Sequence, residues 1–246
     1  MEIVKLENVS LTYYTQNSEI EVLKDLSFSL NEGDILCLVG PSGCGKSTIL
    51  NVISGLVNVN SGKVNVNGNC GYMFQRDNLF EWRTVYKNVL LGLEITRQNT
   101  DENRMKARRL LEKYGLWEFK DYHPSQLSGG QRQRVALIRT LVLNPDILLL
   151  DESFSALDFQ TRLLVNEDVY RIIKEEKKSA IIVTHDISEA ISMGDKVVVL
   201  SSRPSKVKKE YIIDLGVKDR TPLKSRESFL FKDYFQDIWK EMNNDG

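Results

Sequence analysis

The sequence has 246 residues, 41% of them hydrophobic, and a formal net charge of −1. That is enough chain for one large domain or two small ones, and the balanced charge excludes a general electrostatic pull toward nucleic acid. No apolar run is long enough to span a bilayer, Met1–Lys5 does not read as a signal peptide, and Cys37, Cys44 and Cys70 lack metal-ligand spacing, so a reduced cytosolic setting is expected.

Apolar and polar residues alternate over Ile3–Val9 and Leu26–Leu30, which predicts strands. The apolar run Asp34–Val39 suits a buried parallel strand, with Cys37 inside it. Gly40, Pro41, Ser42, Gly43, Cys44, Gly45, Lys46, Ser47 and Thr48 follow, and they satisfy G-x-x-x-x-G-K-[ST] at every constrained position. Such a loop turns successive backbone N–H groups toward an anion, and the next helix adds the positive end of its dipole. Ile49, Leu50, Ile53 and Leu56 supply that helix with an apolar face. Strand, glycine loop and helix together point to a nucleoside triphosphate with Mg²⁺: Lys46 reaching the β- and γ-phosphates, Ser47 the metal, Thr48 a further phosphate contact.

Asn67-Gly68 is a tight-turn signal between Lys63–Val66 and Cys70–Phe74, read as a hairpin or strand pair. From Thr84 to about Leu143 the spacing turns helical, and from Ile147 onward strands and helices alternate. The expected fold is α/β: a P-loop nucleotide-binding core with a mainly parallel sheet, an N-terminal antiparallel β subdomain and a helical insertion at about 76–140. Ile147–Asp151 is an apolar strand that ends in Asp151-Glu152. After a P-loop, the aspartate suits Mg²⁺ and the glutamate suits the proton of an attacking water. Leu127-Ser128-Gly129-Gly130-Gln131 opens a helix, with Ser128 as its cap and two glycines that bare N–H groups. His123 has no such context and is read as a surface residue. Phe231, Tyr234, Phe235, Ile238, Trp239 and Met242 form one helical apolar stripe, expected to dock on the chain's own core.

The P-loop, Leu127–Gln131 and the strand ending in Asp151-Glu152, in this order, resemble the ATP-binding cassette (ABC) ATPases over residues 1–215, with 216–246 left as a helical extension. The resemblance implies further roles. Tyr13, rather than Tyr14, matches the aromatic that stacks on adenine. Gln75 matches the glutamine that meets Mg²⁺ and the attacking water. Ser155-Ala-Leu-Asp158 matches the loop that communicates across a dimer, and His185 matches the histidine at the γ-phosphate. It also implies that Ser128–Gln131 caps the γ-phosphate held by a second subunit, so that two ATP molecules are buried between two chains.

Trp82-Arg83-Thr84, Asp186–Ala190 and Leu200–Pro204 look like the importer branch for nitrate, alkylsulfonates and taurine. Glu81, Ser153, Ser155 and Gln131 depart from that branch's usual residues, and no catalytic group is lost by it. The expectation is an ATPase subunit, peripheral at the cytoplasmic face of the cell membrane. It would pair with a second copy and a separate transmembrane permease, and indirectly with an external solute-binding protein; nucleic acid is not an expected partner. A soluble ABC ATPase acting on DNA or ribosomes, and an exporter's ATPase, are the alternatives.

Overall fold

The computed structural model describes residues 1–14, 18–152 and 157–244. Two sheets organise them. The first joins β1 (Glu2–Tyr14), β2 (Glu19–Asn31) and β4 (Ser61–Val66), all antiparallel, in the order β2-β1-β4. The second holds β3 (Ile35–Val39), β5 (Cys70–Met73), β6 (Ile147–Asp151), β7 (Ser179–Val183), β8 (Lys196–Leu200) and β9 (Val207–Ile212) in the order β5-β6-β7-β3-β8-β9. It is parallel throughout except for β9 at its edge.

Every residue of β3, β6 and β7 is buried, because this sheet is covered on both faces. The two-residue period of a strand still sorts them. Ile35, Cys37, Val39, Leu148 and Leu150 pack with the helices α2 (Val85–Ile95), α4 (Gly129–Leu141), α5 (Phe159–Glu175) and α6 (Ile187–Met193). Leu36, Leu38, Ile147 and Leu149 face the antiparallel sheet and α1 (Lys46–Ile53). The insertion contains α2, α3 (Asp101–Lys113) and α4. Thr84 and Thr100 cap the first two by accepting from the N–H groups of Lys87 and Asn103.

The turn at Asn67-Gly68 does not close a hairpin. β4 pairs with β1 in one sheet, and β5 lies parallel to β6 in the other, Cys70 opposite Ile147. Asp146 makes the transfer. Its carboxylate accepts from the Asn69 N–H at 2.8 Å, and its own N–H donates to the Asn69 carbonyl at 2.9 Å. A Cβ at Gly68, whose φ is +137°, would lie 2.8 Å from the Asp146 side chain, so the turn needs a glycine for its conformation and its closeness alike.

Past β9 the chain forms α7 (Pro222–Glu227) and α8 (Phe229–Asn243). Ile238 is fully buried, with Phe231, Tyr234, Phe235 and Met242 packed on the helical core. Trp239 departs from the expected stripe and is 54% exposed.

Candidate nucleotide site

β3, β5, β6 and β7 run parallel, so their carboxyl ends share one edge of the sheet. The P-loop leaves β3, Gln75 follows β5, Asp151 and Glu152 end β6, and His185 follows β7. The topology therefore gathers the P-loop, Gln75, Asp151, Glu152 and His185 at the edge where open α/β sheets bind ligands.

Gly43 and Gly45 have φ of +74° and +115°, in the region that side chains rarely adopt. A Cβ on Gly45 would also meet Val22 Cγ1 at 2.8 Å. The loop thus curls close against β2 before α1 begins. Cys44 is buried in it, and that burial pushes its thiol pKa up. Lys46 is 5% exposed; its ammonium donates to the carbonyls of Gly40 and Pro41 at 3.0 Å each and lies 3.9 Å from Glu152 Oε1. Ser47 Oγ donates to Asp151 Oδ1 at 2.9 Å, and the Tyr72 hydroxyl donates to Asp151 Oδ2 at 3.2 Å. Burial raises the Asp151 pKa, against the pull of those two hydrogen bonds. Burial and the facing Asp151 carboxylate raise that of Tyr72.

Glu152 sits at φ +44°, a left-handed backbone uncommon for a residue with a side chain. Its N–H donates to the Val183 carbonyl at 2.9 Å, which fixes the turn. The carboxylate is thereby held 3.5 Å from Gln75 Nε2 and 3.7 Å from His185 Nδ1. Strain of this kind concentrates at functional sites.

The cleft over these residues has a volume of about 520 Å³ and reaches from Tyr13, Ile20 and Val22 along the P-loop to Gln75, Asp151 and Glu152. Tyr13 lines it and Tyr14 does not. Two contributors are not marked by the sequence. Arg203, in the loop after β8, lies in Leu200–Pro204, whose importer-like pattern assigns it no part in nucleotide binding. Tyr72 lies three residues before Gln75, but only the β5–β6 pairing puts its hydroxyl on Asp151.

Ser128–Gln131 lies apart from this cleft. Gly129 lines a neighbouring concavity with Arg132, Gln133 and Leu157, and Gln75 borders both. Ser128 Oγ accepts from the Gln131 N–H, and Gln131 Oε1 accepts from the Ser128 N–H, a reciprocal capping box at the start of α4. Asp158 caps α5 by accepting from the Thr161 N–H, and hydrogen bonds from the Thr161 side chain first and its N–H second hold the Asp158 carboxyl below the usual range. Ser155 and Ala156, in the same expected loop, lie outside the described residues, as does Ser153. His123 is half-buried rather than a surface residue. Its Nδ1 lies 3.0 Å from the Glu81 carbonyl and its N–H donates to Gln126 Oε1, so it pins the loop before α4.

A family model described as ABC transporter matches residues 23–155. The uncharacterized ABC transporter ATP-binding protein YtlC of Bacillus subtilis is 41% identical, over 99% of this chain and 97% of its own length. The chain belongs to the ABC transporter family as an ATP-binding subunit. A taurine import ATP-binding protein, TauB of Ruegeria pomeroyi, is 36% identical over 93% of this chain and 90% of its own length. A dimeric ATP-binding cassette solved in a post-hydrolysis state with ADP and Pi superposes with a TM-score of 0.72 at 32% identity, covering 86% of this chain and 99% of the other. The α/β cassette architecture and the ATP-binding assignment therefore stand together. Among the described residues no helix is long and apolar enough to cross a membrane.

Proposed function

We propose that this chain is the ATP-hydrolysing, energy-coupling subunit of an importer for a small solute of the nitrate, sulfonate or taurine kind. The observation that carries the hydrolytic part is the convergence of Lys46, Ser47, Gln75, Asp151, Glu152 and His185 at one sheet edge. The importer part rests on similarity to a taurine import subunit. Residues 1–215 are read as the cassette and 216–246 as an extension docked on it.

ATP would lie with adenine against Tyr13 and its phosphates over Gly40–Thr48. Lys46, free to exchange its carbonyl partners for phosphate oxygens, would neutralise the β- and γ-phosphates. The donor set fits Mg²⁺: the Ser47 hydroxyl and the Asp151 carboxylate meet at 2.9 Å, two hard oxygen ligands side by side under the P-loop. Hydroxyl, amide and one carboxylate oxygen, completed by phosphates, are how that hard cation is commonly held. Ser47, Asp151 and Gln75 would hold it, and when bound it supplies charge neutralisation on the phosphates. Glu152 would take the proton of the attacking water, with Gln75 orienting that water and His185 touching the γ-phosphate.

Ser128–Gln131 caps α4 away from this cleft, which supports a role toward a second copy. The capping box uses the N–H groups of Ser128 and Gln131 and leaves those of Gly129 and Gly130 for a partner's γ-phosphate. ATP would then bridge two chains, and its cleavage would release them. Phe80 and the 74% exposed Trp82, stacked with centroids 4.6 Å apart, would face the permease, and the chain would work at the cytoplasmic membrane face.

The test is Glu152→Gln in the full chain. It should retain ATP, lose nearly all turnover and elute as an ATP-dependent dimer. Near-normal hydrolysis would remove Glu152 as the base. Co-purification with a polytopic membrane protein is expected; recovery with ribosomes or DNA instead would favour the alternative class.

A further inference from the structure

His185 is 55% exposed and the residue before it is buried, so the imidazole is aimed by the backbone turn beneath it. One side chain ties that turn down from inside. The Thr184 hydroxyl donates to Glu189 Oε2 at 2.6 Å and accepts from the Asp186 N–H at 3.0 Å. Asp186 in turn caps α6, accepting from the N–H groups of Ser188 and Glu189. Glu189 is 5% exposed and does not line the cleft.

A buried carboxyl of this kind costs stability unless hydrogen bonds and opposite charges offset its desolvation. Its surroundings are shared by three elements. From α5, Arg162 lies 3.7 Å from Asp186 Oδ2 and donates to the Leu157 carbonyl at 3.2 Å. From α7, Arg226 lies within electrostatic range of both Asp186 and Glu189, and its buried Nε has no hydrogen-bond partner among the described residues. From β3, the buried Cys37 thiol lies within electrostatic range of Glu189. α7 is itself fixed to α6, Ser225 Oγ donating to the Ser192 carbonyl at 3.2 Å.

We propose that Glu189 is a positioning residue for His185: through the Thr184 hydroxyl it holds the turn that points the imidazole at Glu152, with Arg162 holding the cluster from α5 and Ser225 tying α7 to α6 behind it. The proposal rests on the reading of His185 as the group at the γ-phosphate. Its consequence is that the segment after β9 belongs to the support of the catalytic turn and is not an inert appendage. Neither the motifs nor the cleft mark Glu189 for this role, because it acts one residue behind the surface.

Steady-state ATP hydrolysis by the full chain tests it, with four variants. Glu189→Ala and Thr184→Val should each lower kcat about tenfold or more, with the KM for ATP within about twofold of wild type, because the binding loop is untouched. Glu189→Gln keeps an amide oxygen to accept from Thr184 and should keep wild-type kcat. The chain has 2 histidines, so His185→Ala assigns the imidazole NMR signals directly. The His185 signal should move in the two slow variants and stay in Glu189→Gln.

If Glu189→Ala does not fold, Thr184→Val, which keeps the volume and removes the hydroxyl, decides the matter. Wild-type kcat in Thr184→Val and Glu189→Ala, with His185→Ala slow, would overturn the positioning role and leave the reading of His185 intact. Wild-type kcat in His185→Ala would overturn the reading itself and the proposal with it. A kcat loss without movement of the His185 signal, unrescued by glutamine, would mark Glu189 as structural only and also overturn the proposal.

Discussion

Tyr13 and Tyr14 are adjacent aromatics of the same strand, and strand geometry separates them. Side chains of β1 alternate between faces, and Tyr13, paired with Ile20, lines the nucleotide cleft, whereas Tyr14, paired with Glu19, is 66% exposed outside it. Tyr13→Ala should weaken ATP binding by about 1–3 kcal/mol, the scale of stacking on an aromatic. Titration with a fluorescent ATP analogue checks this, and Tyr14→Ala should leave the affinity unchanged. Glu189 makes a different kind of prediction. Burial, with the nearby Asp186, pushes its pKa from 4.5 up to about 7, the Thr184 hydrogen bond and the two arginines opposing. A folded-state value above the unfolded one means that the fold holds a proton between these limits which the unfolded chain has released. The stabilising effect is fully present below pH 4.5 and is lost as pH rises through 7. Raising a pKa tenfold in proton affinity corresponds to about 1.4 kcal/mol, so the loss amounts to about 3 kcal/mol. Glu189→Gln has no such proton. Its stability relative to wild type should therefore grow from pH 4.5 to 7 and level off above, measured by urea denaturation at fixed pH steps.

The reciprocal cap at the head of α4 ties an element's stability to its function. Ser128→Ala removes the acceptor for the Gln131 N–H and should cost about 1 kcal/mol, visible as a lower midpoint in denaturation. Because the turn does not line the chain's own cleft, ATP affinity of the isolated chain should be unchanged while turnover falls. This element was legible in the sequence for a local reason: a cap, two glycines and a glutamine lie within five consecutive residues. So were the P-loop and the strand ending in Asp151-Glu152, where apolar run, glycine spacing and acids lie side by side. What escaped depends on non-local pairing. Asn67-Gly68 has hairpin chemistry, yet Asp146, distant in sequence, draws the chain into a second sheet. Arg203 enters the cleft because its loop follows β8, a strand that neighbours the P-loop strand in space only. The ring of His123 has its partner far away in sequence, since only the fold brings the Glu81 carbonyl to it. Trp239 shares the helical spacing of its stripe but stays exposed, since periodicity reports a face and not how far the core beneath it extends.

At the scale of the whole molecule, one chain presents two parts: a cleft lined by phosphate-binding and acidic groups, with His185 beside Glu152, and a capped helix end that does not line it. If each complete site takes its cleft from one copy and its helix end from another, defects in the two halves should complement. Lys46→Ala disables the cleft and keeps the turn. Ser128→Glu keeps the cleft and sets a carboxylate where the partner's γ-phosphate would come, opposing its charge. Each variant alone assembles only defective sites and should be inactive. Mixed, the chains form dimers in which the intact cleft of one meets the intact turn of the other. About half of the dimers in an equal mixture would be mixed, each with one complete site of two, so turnover should recover to about a quarter of the wild-type rate, as symmetric pairing of two-fold dimers requires. The measurement is ATP hydrolysis across a mixing series at constant total protein, with a maximum at equal amounts. A site built within one chain predicts no recovery at any ratio, because every polypeptide in the mixture would carry its own lesion.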